Sequence, residues 1–482
     1  MRHTLRRSCA ACARSKHSCD LATPRCSRCI KRNIQCAYAN EPLTAPTAPA
    51  TPNGVLHNRP MACQPYALTG CYRFAPVDPF ESYPPTRLSR DHVQRLIHSF
   101  LHKIAFQYYP LDLDATTNPF LVSWWPIALG DPALFNVSLQ TACLDEEMHA
   151  QEGFHTSELL MADSVALLRR KVEDTALAVQ DGTMNSVITL ATIEFGKGNI
   201  KVAEMHVNGV KKLVDMRGGI SQVRQTSPLT ARMVSWVSML IMGHPQFDTQ
   251  DDAGTGSGIP PIPEWLFSPA ALHDHPELPG GLDIGREPAN TLTRLHGVFR
   301  RASHTPLTSA RLHDLTCFVI HRLLLTSSDL STGPTTPLAE AIRYGIILFM
   351  FMLQGPTYFS HAVIFNRILR HFDGHLKQLE PTASITHPSM CVWLLAVGMA
   401  ASAGTPLYSW IRDAAKDVAA SLQLNTWDDV LTRLKSVLWL ESRQSGALYR
   451  LHWDALFQGK TPENPPDPAI HLPRCSISSP FI

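Results

Sequence analysis

Residues 9–19 read Cys9-Ala-Ala-Cys12-Ala-Arg14-Ser15-Lys16-His17-Ser18-Cys19, and residues 26–36 repeat the pattern as Cys26-Ser-Arg28-Cys29-Ile-Lys31-Arg32-Asn33-Ile-Gln-Cys36. Each half offers two thiols on one turn and a third from a returning segment. Six thiolates suit two zinc ions. A tetrahedral zinc needs four sulfurs at about 2.3 Å, so two ions need more positions than six cysteines supply singly, and two cysteines must bridge. A disulfide scaffold is the competing reading, because half of the twelve cysteines fall in this short stretch. The flanks favour metal: Met1 to Arg7 is basic and lacks the apolar run of a secretory signal, so a reducing compartment is expected. Paired Cys-x2-Cys at repeat spacing is also a strong zinc signal.

Charge points the same way. Residues 1–40 carry nine basic side chains (Arg2, Arg6, Arg7, Arg14, Lys16, Arg25, Arg28, Lys31, Arg32) against the single acid Asp20. The other 442 residues carry 34 basic against 40 acidic side chains, so the basic footprint of a nucleic-acid binder is confined to the cluster.

At these residues the chain resembles the fungal-type binuclear zinc-cluster transcription factors, whose Cys-x2-Cys-x6-Cys-x6-Cys-x2-Cys-x6-Cys signature it matches without a gap. Lys16, Asp20, Pro24 and the run from Cys29 to Asn33 match as well. The resemblance implies two zinc ions as cofactors, bridged by Cys9 and Cys26, with Cys12 and Cys19 completing one site and Cys29 and Cys36 the other. It further implies that the short helix after the second ligand enters the major groove, where Lys16 contacts a CGG-type triplet through guanine O6 and N7. Ser15 lies in that reading segment, and Arg14, Arg25, Arg28, Lys31 and Arg32 are expected on phosphates, which gives affinity and salt dependence but little sequence choice. The chain departs from the family at Ala13, Ser15 and Ser18, where basic residues are common. Regulators resembling the aflatoxin-pathway activator share such serines, and Arg6 and Arg7 could compensate by gripping the backbone, or serve as a solvated tail used for nuclear import.

Residues 41–86 hold ten prolines and read as an extended linker without apolar heptads. The chain is therefore expected to bind as a monomer or to form a homodimer through another region. Cys63 and Cys71 lie in this linker without a complete ligand set.

A mainly α fold is expected overall: the small cluster domain (1–40), the Pro-rich linker (41–86), a large all-helical regulatory domain (87–458) and a disordered tail (459–482). Val93, Leu96, Ile97, Phe100, Leu101 and Ile104 follow helical spacing after Ser89, an expected N-cap. Thr336-Pro337 and Thr426 with Asp429 mark two further helix starts. The apolar runs 233–242, 344–353 and 392–401 are shorter than the ~20 residues of a membrane span and are expected as core helices, so no membrane partner is expected. The segment Ala203 to Gly219 is similar to the helical region that follows fungal zinc clusters, as are Leu434 to Trp439 and Trp453; Ala203 and Gly209 are expected to pack closely and Gly218-Gly219 to end the helix.

Enzyme signals fail on inspection. Gly254-Thr-Gly-Ser-Gly258 is neither a P-loop nor a dinucleotide fingerprint, and residues 244–290 around it are expected to be a flexible insertion. His371 and His375 lie one turn apart but lack a third ligand; His206 is expected as a packed helix histidine. No nucleophile triad or paired carboxylate is recognisable. The sequence therefore points to a nuclear, non-enzymatic regulator of RNA polymerase II genes that binds double-stranded DNA, with co-regulators or transcription machinery as partners and a small-molecule effector left open. A secondary-metabolite gene cluster is the expected target class. The alternative is a zinc-structured interaction protein recruited to chromatin with weak or non-specific DNA binding.

Overall fold

The computed structural model describes residues 10–15, 17–19, 26–34, 36, 83–108, 115–151, 153–267, 284–325, 336–355, 357–379, 386–441 and 443–459. The chain divides into two compact units, 1–75 and 76–482. The first contains α1 (Ala10–Arg14) and α2 (Ser27–Lys31). Among the described residues the only β-type pairing is an isolated bridge between Thr249 and Ile259, so the protein is mainly α-helical.

The second unit begins with α3 (Arg90–Ser99), which widens into a π-turn over Phe100–Ile104 before α4 (Ala105–Gln107). Val93, Leu96, Ile97, Phe100, Leu101 and Ile104 are all buried, as their spacing predicts. Ser89 precedes the helix in extended conformation but makes no side-chain capping hydrogen bond. A second π-turn, Phe120–Trp124, leads into α5 (Trp125–Gly130). Pro126 explains it: the ring has no N–H to give and crowds the carbonyl four residues back.

The centre of this unit is built from helices that are apolar nearly all round. α6 (Pro132–Ala150) and α9 (Asp181–Gly196) are buried along most of their length, with α7 (His155–Glu173) and α8 (Thr175–Ala178) between them in sequence. Amphipathic α10 (Ile200–Met216) covers α9 with Ala203, Val207, Val210 and Val214. Its end is a Schellman motif: Gly219 N–H donates to the Val214 carbonyl at 2.9 Å and Gly218 N–H to Asp215 at 3.1 Å. Both glycines have positive φ, near 97° and 91°, which is why the pair stops the helix. Ala203 packs as expected; Gly209 is only half-buried, and a Cβ there would meet nothing nearer than Val187 at 4.0 Å.

α11 (Ile220–Thr226) and α12 (Pro228–Met242) follow, then α13 (Pro263–Leu266), α14 (Arg286–Ala302) and α15 (Ser309–Leu325). The remaining helices are α16 (Pro337–Gln354), α17 (Ala362–Leu376), α18 (Pro388–Ser402), α19 (Tyr408–Ser421), α20 (Trp427–Val437) and α21 (Arg443–Phe457). The runs 233–242, 344–353 and 392–401 fall in α12, α16 and α18 and pack into one continuous core. By length and composition α16 alone among the described residues could cross a bilayer. It is 67% buried within the unit, and its Arg343 pairs with Glu340 and donates to the Leu323 carbonyl at 2.9 Å. Thr336 caps it by accepting from Ala339 N–H. Thr426 and Asp429 form a complete capping box on α20.

Residues 244–267, expected as part of a flexible insertion, are instead packed down. Ile259, Ile262 and Trp265 are buried. Asp252 accepts hydrogen bonds from Trp265 Nε1 (3.0 Å), Asn290 Nδ2 (2.8 Å) and Arg322 Nη1 (2.7 Å), which ties the segment to α14 and α15. The loop glycines serve this fold: a Cβ at Gly258 would lie 2.4 Å from the Asp248 carbonyl oxygen. Polar composition had read as exposure because its partners are some forty to seventy residues away. Residues 268–283 lie outside the described residues.

Candidate metal centre and nucleic-acid interface

Three sulfurs converge in the first unit. The Sγ atoms of Cys12, Cys26 and Cys29 all lie within 4.8 Å of one another, and all three residues are buried. Cys12 Sγ and Cys26 Sγ are 3.7 Å apart. A disulfide would require about 2.05 Å, whereas a tetrahedral ion with sulfur ligands at about 2.3 Å spaces them about 3.8 Å apart. The donor set therefore fits zinc.

Local structure brings the sulfurs together. Cys26 is the N-cap of α2: its backbone is extended and its sulfur accepts from Cys29 N–H at 3.4 Å, as a serine or aspartate oxygen does at other helices. Cys26 N–H in turn donates to Cys36 Sγ at 3.4 Å. Thus Cys26 touches Cys12 from the first half of the repeat and both Cys29 and Cys36 from the second. Cys19 is partly buried against the same group. Asn33, with φ of 45°, turns the chain after α2, and Ile34 N–H donates to the Cys29 carbonyl at 3.1 Å. Cys9 lies outside the described residues.

The cationic side chains surround this centre unequally. Arg14 is exposed in the last turn of α1, Arg28 is half-buried on α2, and Lys31 and Arg32 are exposed at its end. Ser15 is exposed, but its hydroxyl donates to the Ala11 carbonyl at 2.8 Å. Lys16, Arg6, Arg7 and Arg25 lie outside the described residues, as do Cys63 and Cys71.

In the helical unit the histidines named from sequence have ordinary roles. His371 and His375 both stack on Tyr344, at 5.3 and 5.8 Å between ring centroids. His206 is half-buried on α10, and burial lowers its pKa against the opposing charge of Glu194. Sequence reasoning missed a different group: Asp314 on α15, clamped by Arg224 of α11 and Arg232 of α12. The two arginines lie 90 and 82 residues from it, so no spacing could reveal the cluster. The only local signal is a charge inside apolar helices.

Comparison with known proteins finds family similarity in two stretches of the chain. Residues 7–45 match the family described as fungal Zn(2)-Cys(6) binuclear cluster domain, and residues 95–243 the fungal specific transcription factor domain. In two separate stretches the chain is thus similar to a zinc-cluster domain and to a transcription factor domain, and these families are transcription regulators, not enzymes. The cluster family's description implies two zinc ions. Among individual proteins, the chain is similar to "Transcription factor gsfR2" of Penicillium aethiopicum, 52% identical over 33 residues. That match covers 7% of this chain and 8% of the relative. No solved structure matches the chain. The second family match ends at Gly243, directly after α12, yet the core does not end there: Trp236 of α12 packs against His313 and Phe351 of α15 and α16.

Proposed function

We propose that the cluster, with Cys9 and Cys26 bridging two zinc ions, reads CGG-type triplets in the major groove through Lys16 and the adjoining backbone. Arg14, Arg25, Arg28, Lys31, Arg32 and the arm residues Arg6 and Arg7 hold phosphates. The protein acts in the nucleus, where the helical unit, 87–458, controls transcription of a secondary-metabolite gene cluster through co-regulators or an effector. The observation that carries this reading is the convergence of Cys12, Cys26 and Cys29 sulfurs inside the one strongly basic part of the chain.

The second reading, a zinc-structured module recruited to chromatin with weak DNA affinity, draws support from Ser15, whose hydroxyl is already engaged with its own helix. Selection of binding sites from random duplex DNA by the zinc-loaded protein separates the two. One enriched CGG-like triplet means a monomeric reader, and two at fixed spacing mean a homodimer. No enriched sequence, with affinity lost alike for all DNA as salt rises, sinks the specific reading. Lys16→Ala is expected to erase the triplet preference at a cost of about 1–3 kcal/mol in discrimination; unchanged preference would remove Lys16 as the base reader.

A further inference from the structure

One face of α10 lies on α9, and the opposite face is open. Four of the fifteen large apolar side chains left exposed among the described residues sit on this one helix: Ile200, Val202, Met205 and Met216, the last two 62% and 55% exposed. At about 100° per residue, Val202, Met205, Gly209 and Met216 fall along one edge of the open face. Lys201, Glu204, Asn208, Lys212 and Asp215 form the row beside that edge. Single exposed apolar side chains are ordinary, whereas a row of them bordered by charge marks a contact surface.

Gly209 lies in the middle of the apolar edge. Its φ is not positive, and a Cβ there would meet only Val187 at 4.0 Å, an ordinary contact. Neither the backbone nor the packing inside the unit requires glycine, and glycine weakens a helix relative to alanine. What the missing side chain provides on an outer edge is room for a second backbone to approach.

The charges along the row run Lys201, Glu204, Lys212, Asp215, and none of the four has an ion-pair partner among the described residues. A second α10 laid parallel and in register would set like charge against like. Laid antiparallel about a twofold axis at Asn208, it sets Lys201 opposite Asp215 and Glu204 opposite Lys212, and each pair occurs twice. The axis runs across the two helices, so their apolar edges fall on the same side and meet. Val202 then lies opposite Met216 to within one residue, and the two Gly209 backbones lie beside the crossing point. The face is thus complementary to itself, as a twofold contact requires.

We propose that the helical unit self-associates through α10, which pairs antiparallel with α10 of a second copy of this chain. The apolar edges supply the attraction. The exposed ion pairs add little affinity, but they fix direction and register. A single helix pair is a small interface, so the dimer is weak and concentration-dependent. The linker 41–86 carries no apolar heptads to join two chains, and pairing through α10 does so instead, raising the effective concentration of one cluster near another. The inference goes beyond the DNA-reading proposal and does not rest on it.

The test is sedimentation velocity of the full-length, zinc-loaded protein without DNA, at concentrations up to about 100 µM, with circular dichroism to establish that each variant is folded. The wild type is expected to pass from monomer to dimer within this range. Met205→Glu is expected to weaken association about tenfold or more, because two like charges enter the apolar seam. Lys201→Glu and Asp215→Lys are each expected to weaken it about fivefold, and the double variant, which exchanges the two charges, to restore the wild-type constant. A wild type that stays monomeric throughout, or a dimer unchanged in folded Met205→Glu, would overturn the proposal. A double variant as weak as its two parents would overturn the antiparallel register. No DNA enters the measurement, so its outcome is separate from that of the site selection.

Discussion

Cys26 is the residue on which both halves of the repeat meet: its sulfur caps a helix and lies with those of Cys12 and Cys29 in a group that could hold a metal ion. Removing it withdraws a contact from Cys12 and Cys29 together, and metal-binding energy in so small a unit is folding energy. Cys26→Ser is therefore expected to release both zinc ions and abolish DNA binding, read by metal analysis and a gel-shift titration; retention of two ions would refute bridging by Cys26. Cys143 is the appropriate control, because burial and the neighbouring Glu147 and Glu146 push its thiol up to about 12, which leaves it inert. Cys143→Ser is expected to leave zinc content unchanged.

Individual helices carry their own tests. A Cβ at Gly345 of α16 would lie 3.1 Å from Leu394 and Trp393 side-chain atoms of α18, so a larger residue there requires these buried neighbours to give way. Gly345→Val is expected to cost about 1–3 kcal/mol by overpacking, measured by urea unfolding, while leaving the zinc cluster's metal content unchanged. The segment 244–267 depends instead on charge. Asp252 is ionised against Arg322 and Arg294: burial favours its neutral form, but hydrogen bonds from Trp265 and Asn290 and the two guanidinium charges prevail and lower its pKa. Asp252→Asn is expected to expose 244–267 to limited proteolysis at an earlier time point without loss of helical circular dichroism; unchanged cleavage kinetics would show that the apolar anchors Ile262 and Trp265 hold it alone.

At the scale of the whole molecule, four buried histidines among the described residues link stability to pH. His313, His321, His361 and His452 are held neutral by burial, with pKa values lowered to about 4. The unfolded chain binds protons at these positions from about pH 6.5 downward, whereas the folded chain does so only near 4. Their contribution is thus present above about pH 6.5 and is lost as pH falls through that window, on the order of 2 kcal/mol for each by pH 5. Denaturant unfolding of the full chain between pH 7 and 5 is expected to show this decline, with His313→Phe flattening part of it. Asp314 adds a later drop: burial opposes its charge, but Arg224 and Arg232 outweigh burial and lower its pKa to about 2, so that contribution vanishes as pH falls from 3.8.

The cysteine repeat and the confinement of basic charge to its neighbourhood were legible in the amino-acid sequence because both are local: ligand spacing and like charges are set within a few residues. Helix starts at Thr336 and Thr426 and the apolar runs of α12, α16 and α18 were legible for the same reason, since capping and periodicity act over one or two turns. The π-turns at Phe100–Ile104 and Phe120–Trp124 escaped, because a 3.6-residue count does not register a single widened turn. The ordering of 244–267 and the cluster of Arg224, Arg232 and Asp314 were decided only by tertiary structure. Each joins side chains tens of residues apart, and whether a charged residue is solvated or clamped depends on which helix packs over it, a fact no local pattern contains.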